Sequence, residues 1–222
     1  MKDVKRDFQE RLDEINLYFA FLENVILRDG KLLYADGSSE NIDTTLIKTL
    51  RANGFLLIYN LVESCVKRAI EEIYISMRRD GIEYDNIKEG IRKEIINYLR
   101  SGKTGTEDFV SSVNNIAQDI IGHCFSAETL FSGNVDAKKI REIAKKYGFS
   151  TRTNTLRTKS GEKLLTVKRR RNDLAHGVYS FQECGKEYTI QDMIEIKNEV
   201  TMYLEQILDN IERYIDNKEF LK

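Results

Sequence analysis

The sequence contains no proline in 222 residues, where ordinary usage near 5% would supply about eleven. Proline removes a backbone donor and breaks helix interiors, so a chain without it is free to build long, uninterrupted helices. The apolar pattern uses that freedom. Val4, Phe8, Leu12, Ile15, Phe19, Leu22 and Ile26 recur every three or four positions, one stripe on a helix from about Val4 to Arg28 that Gly30 ends. Gly37 to Asn41 reads as a loop. Asp43 or Thr44 then caps a second helix to about Arg79, Asp85 a third to Leu99, and Thr106 a fourth from Glu107 to Gly122. Asn134 or Asp136 opens a shorter helix that stops at Tyr147-Gly148.

From Ser150 to Lys163 the chain turns polar and threonine-rich, a loop or short ribbon. Helical spacing resumes near Glu162 and stops at His176-Gly177. Alternation over Val178 to Phe181 and the turn signal Cys184-Gly185-Lys186 predict a small hairpin. Thr189 caps a last amphipathic helix from Ile190. The expectation is an all-α bundle of long antiparallel helices with a small hairpin near its end, folded as a single domain over residues 1–222.

A content of 41% hydrophobic residues is enough to bury a core, and 35 cationic against 36 anionic side chains exclude a histone-like polycation and an acidic solvating tail. Cys65, Cys124 and Cys184 are widely spaced and odd in number, a pattern of neither a disulfide framework nor a zinc site. No apolar run approaches the eighteen or so residues of a membrane span. The expectation is a cytoplasmic protein with no metal and no cofactor.

Charge is nevertheless uneven. Between Ser150 and Arg171 eight cations face the single acid Glu162, whereas from Glu187 onward nine acids face four cations. A polyanion is drawn to the first stretch, and Arg157, Lys159, Lys168, Arg169 and Arg170 are its candidate contacts. The aromatics Tyr18, Phe19 and Phe21 read as core or dimer contacts instead of base-stacking groups. Gly102 and Gly105 lack the spacing of a phosphate loop.

Two histidines are available for proton transfer. His123 lies among apolar neighbours and reads as a core or helix-end residue. His176 closes Arg171-Asn172-Asp173-Leu174-Ala175-His176-Gly177, directly after the Lys168 to Arg171 basic run. Asn172 and His176 share a helical face, while Arg171 lies about 140° round from His176, so Arg171 must reach across or act on a neighbouring chain. An imidazole can be general acid or base, a guanidinium can grip two phosphate oxygens, and an amide can orient either. RNA suits that set because its 2′-hydroxyl is an internal nucleophile, needing only deprotonation and charge stabilisation. Arg169, Arg170 and Arg171 are separated from His176 by six, five and four residues, and spacing alone leaves all three open.

On these residues, and on Gly133 to Arg141, Leu164 to Gly185 and the segment from Ile190, the sequence resembles the HEPN superfamily, in particular its bacterial nuclease branch. The family motif is an arginine, commonly followed by a polar residue, with a histidine four to six positions on. The resemblance implies a helical domain that dimerises to face two motifs, forming one composite site for metal-independent RNA cleavage. It implies Arg171 and His176 as the catalytic pair and Asn172 as the supporting polar residue. Members act as toxins held by an antitoxin or inhibitor protein, or in defence against phage. The alternative expectation is a non-catalytic RNA-binding, nucleotide-binding or protein-interaction member of the same fold.

Overall fold

The computed structural model describes residues 1–100 and 134–222. The expected helix Glu107–Gly122, its cap Thr106, and Gly102, Gly105, His123 and Cys124 lie outside the described residues. Within them the chain is helical, with α1 (Lys2–Leu27), α2 (Thr44–Arg79), α3 (Glu89–Arg100), α4 (Ala137–Tyr147), α5 (Thr155–Thr158), α6 (Glu162–Ala175), α7 (Phe181–Lys186) and α8 (Ile190–Asp216). This is the all-α architecture that the missing proline and the three-to-four periodicity predict. No described helix is long and apolar enough to cross a membrane.

The chain divides into two compact units, and α1, α2 and α8 each contribute residues to both. The first comprises residues 1–5, 63–153 and 204–222. Its core gathers Ile70, Ile73 and Met77 of α2, Ile91 and Ile95 of α3, Ile140 and Tyr147 of α4, and Ile211 and Tyr214 of α8. The Tyr74 and Tyr147 hydroxyls pair at 2.8 Å, and the Tyr214 hydroxyl donates to the Tyr147 carbonyl at 2.5 Å. These buried polar groups are therefore satisfied by one another. Of the two caps the sequence offers, Asn134 and Asp136, Asp136 caps α4 by accepting from the Lys139 N–H, and Gly148 ends it in the expected left-handed conformation.

The second unit comprises residues 6–62 and 154–203 and carries the motif. Its core joins the α1 stripe Phe8, Leu12, Ile15, Phe19 and Leu22 to Phe55, Ile58 and Tyr59 of α2, Leu164, Val167 and Leu174 of α6, and Ile196 and Val200 of α8. Each large apolar side chain so buried contributes about 1.5–3 kcal/mol.

The structure corrects the hairpin expected after the motif: residues 181–186 form α7. Ser180 and Glu183 make a reciprocal capping box, the Glu183 N–H donating to Ser180 Oγ at 3.2 Å and the Ser180 N–H to Glu183 Oε2 at 2.8 Å. Two orphan donors at a helix start are thereby satisfied, and helix outcompetes strand. Gly185 marks a close approach instead of a turn, since a Cβ there would stand 1.8 Å from the Lys48 carbonyl oxygen. A two-stranded hairpin does occur, but at β1 (Lys31–Leu33) and β2 (Ser39–Asn41), with Lys31 opposite Asn41 and Leu33 opposite Ser39. The polar stretch from Ser150 folds into α5 and a 3-10 turn, Lys159–Gly161.

Candidate functional site

The site grows from the phase of α6. Leu164, Val167 and Leu174 are buried, and at about 100° per residue the position that completes their stripe is 171. Arg171 therefore faces inward, and its guanidinium lies over the Tyr59 ring, 4.6 Å from the centroid. Its Nη1 donates to Asn172 Oδ1 at 2.9 Å. A guanidinium on an aromatic face is held by the ring quadrupole, a contact that uses the flat face of the group and not its edge of N–H donors.

Arg170, about 100° away, meets an entirely different set of groups. Its Nε donates to the Tyr188 hydroxyl at 2.9 Å, Nη2 pairs with Glu187, and Nη1 lies 3.5 Å from Asp173 Oδ2. The same guanidinium sits between rings, 5.4 Å from the Tyr188 centroid and 5.6 Å from that of Tyr179. Arg170 thus ties the last turn of α6 to both ends of the α7 segment. Arg169 points outward and is exposed, and Lys168 is half-buried.

One face of α2 sets the spacing of these groups. Arg51 Nη1 donates to the Tyr188 carbonyl at 3.1 Å, Phe55 packs edge-on against the Tyr188 ring at 4.8 Å, and Tyr59 carries Arg171. Positions four apart on a helix share a face and advance about 6 Å.

His176 is the C-cap of α6 and is exposed. Its N–H donates to the Asn172 carbonyl at 3.0 Å, the Gly177 N–H to Leu174 at 3.3 Å and the Val178 N–H to Asp173 at 2.8 Å. Those last two bonds form a Schellman closure, which requires the left-handed φ of +67° that Gly177 adopts. The backbone of His176 is consequently fixed one turn from Asn172, with its side chain exposed. Asn172 thus holds the Arg171 guanidinium through its side chain, while its carbonyl takes the ordinary helical bond from the His176 N–H.

The second basic stretch is arranged otherwise. Lys159 Nζ lies 2.7 Å from Glu199 Oε1 and 3.1 Å from Glu195 Oε1. The Glu199 carboxylate, followed by Glu195, pushes the Lys159 ammonium up to about 12, and Lys159 holds the Glu195 carboxyl below the usual range. Arg157 is exposed on α5, its N–H donating to the Asn154 cap at 3.2 Å. Burial pushes the Cys184 thiol up to about 11, so it packs as a small apolar group. Among the described residues, no group of three or more His, Cys, Asp and Glu side chains is placed to hold a metal ion.

A sequence model of the MAE_28990-like HEPN family matches residues 1–220. The chain belongs to the HEPN family. No curated protein and no solved structure matches it. HEPN domains are ribonuclease-related modules that often bind RNA and dimerise. Sequence reasoning missed Tyr59, Tyr179, Tyr188 and Glu187. Tyr59 carries no local signal, because it reads as one more core position of α2. The Ser180-x-x-Glu183 capping box was available, and it would have placed Glu187 and Tyr188 just beyond a helix end.

Proposed function

We propose that the chain is a metal-independent endoribonuclease, with Arg171 and His176 as its catalytic pair, Asn172 as the supporting residue and a homodimer as its working form. The observation that carries the reading is the placement, five positions apart at the end of α6, of an aromatic-stacked guanidinium held by Asn172 and an exposed histidine. In this mechanism one imidazole removes the proton of an RNA 2′-hydroxyl. The oxygen attacks the adjacent phosphorus, and the bond to the 5′-oxygen breaks. A second imidazole, from the other copy, returns a proton to that leaving oxygen. The products are a 2′,3′-cyclic phosphate and a 5′-hydroxyl. Arg171 offers paired N–H donors to the charge that develops on the phosphate.

Because Arg171 and His176 diverge around α6, two copies related by a two-fold axis supply one complete set more readily than a single copy does. Lys168 and Arg169, with Arg157, supply the electrostatic approach for the strand. A toxin or phage-defence effector restrained by an antitoxin or inhibitor protein is the biological setting this activity fits.

The test is cleavage of single-stranded RNA in excess EDTA. Wild type is expected to cleave, and His176→Ala to lose about 10²–10⁴-fold with an unchanged melting temperature. Mixed Arg171→Ala and His176→Ala subunits are expected to depart from additive activity. Absence of cleavage by the wild type on any RNA would replace this reading with the non-catalytic binding one.

A further inference from the structure

We infer that Tyr179 is a stacking platform for a nucleobase of single-stranded RNA, next to the phosphate addressed by His176, with Arg170 as its positioning residue. The ligand assignment rests on the ribonuclease reading above. The geometry stands by itself. Tyr179 is three residues beyond His176, so their Cα atoms lie within about 11 Å of each other, the reach of neighbouring nucleotides on an unstacked strand. It is 38% exposed and Val178 beside it 66% exposed, directly after the Schellman closure that fixes the backbone from Asp173 to Val178.

An exposed aromatic ring ordinarily has freedom about its side-chain bonds, and ordering it opposes binding. Tyr179 is steadied from one side by the Arg170 guanidinium, 5.6 Å from its centroid. That guanidinium is itself held by Tyr188, Glu187 and Asp173. The ring is therefore preorganised, with a guanidinium against it and the exposed histidine three residues before it. Stacking on an aromatic face tolerates any base, and a guanidinium beside the ring adds to it.

The probe is a single-stranded 2′-O-methyl RNA oligomer carrying one 2-aminopurine. It lacks the nucleophile and so reports binding without cleavage by the intact protein. With Tyr179→Phe the oligomer should bind within about twofold of wild type and its fluorescence should still be quenched, because the π face remains. With Tyr179→Ala, and with Tyr179→Leu as the variant that keeps apolar bulk, affinity should fall about 5- to 150-fold and quenching should vanish. An oligomer with an abasic position in place of the 2-aminopurine should abolish the difference between variants. Undiminished binding and quenching by Tyr179→Ala would overturn the inference. So would conversion of a dimer to a monomer by that substitution, since the ring would then belong to a protein contact. Cleavage of unmodified RNA, run alongside, separates the two proposals. Cleavage with Tyr179-independent binding defeats the platform alone, and Tyr179-dependent binding without wild-type cleavage defeats the ribonuclease reading alone. Failure to bind any RNA overturns both.

Discussion

The stretches Arg157–Lys159, with two cations, and Lys168–Arg171, with four, both read as basic in the sequence, yet they meet different partners once folded. Lys159 reaches two carboxylates of α8, one of them on Glu199, whose side chain is only 6% exposed. Its charge is offset locally, and little of it remains as a field for a distant polyanion. Arg171 reaches an aromatic ring and a neutral amide. Both contacts hold the guanidinium in place, one through its face and one through Nη1. Between them stands Arg170, with carboxylates and rings together, which makes it a strut. A count of cations along a sequence thus overstates a binding surface wherever acids of another helix are brought within salt-bridge distance.

The largest effect should divide the adjacent arginines. Arg171→Ala is expected to reduce kcat for RNA cleavage about 10²–10³-fold, as loss of one preorganised donor to a developing charge does. Arg170→Ala is expected to lower stability by about 2–3 kcal/mol through its lost charged hydrogen bonds, read by denaturant unfolding. Equal kinetic losses at equal melting temperature would erase the distinction. Next, Arg169→Ala should weaken RNA binding and reduce the slope of log affinity against log salt by about 0.7. Lys159→Ala should instead lower the melting temperature and leave that slope unchanged, and a matching slope change would break the contrast.

Smaller again is Gly177→Ala. A Cβ there meets nothing within 4 Å, so the cost is the left-handed backbone alone, about 1 kcal/mol, with a fall in activity as His176 shifts. The smallest effect is in pH. A raised Lys159 favours the folded state fully below its ordinary 10.5 and loses that contribution as pH climbs to about 12. Glu195, held below 4.5, contributes above that value and loses it as pH falls. The melting-temperature gap between wild type and Lys159→Ala should be flat between about pH 6 and 10 and close at both extremes. A gap that changes steeply near neutrality would assign the stabilisation to another group.

Helix positions were legible because each rests on neighbours in the sequence: Asp136 caps α4, Gly148 ends it, and His176-Gly177 stops α6. The inward phase of Arg171, which Arg169 does not share, is likewise encoded locally, in its spacing from Leu164, Val167 and Leu174. The erroneous hairpin came from weighing a four-residue alternation and a glycine above Ser180 and Glu183, whose mutual hydrogen bonds start a helix.

What the residues determined unaided is the all-helical class and the place of the histidine, since periodicity, caps and the absence of proline act through bonds within one or two turns. What tertiary structure decided is the role of each cation. Tyr59 and Arg171 are 112 positions apart in sequence, as Lys159 and Glu199 are 40 apart. Whether a positive charge finds a ring, an amide or a carboxylate depends on which helix faces it, and pairings between distant segments leave no periodic trace in either one.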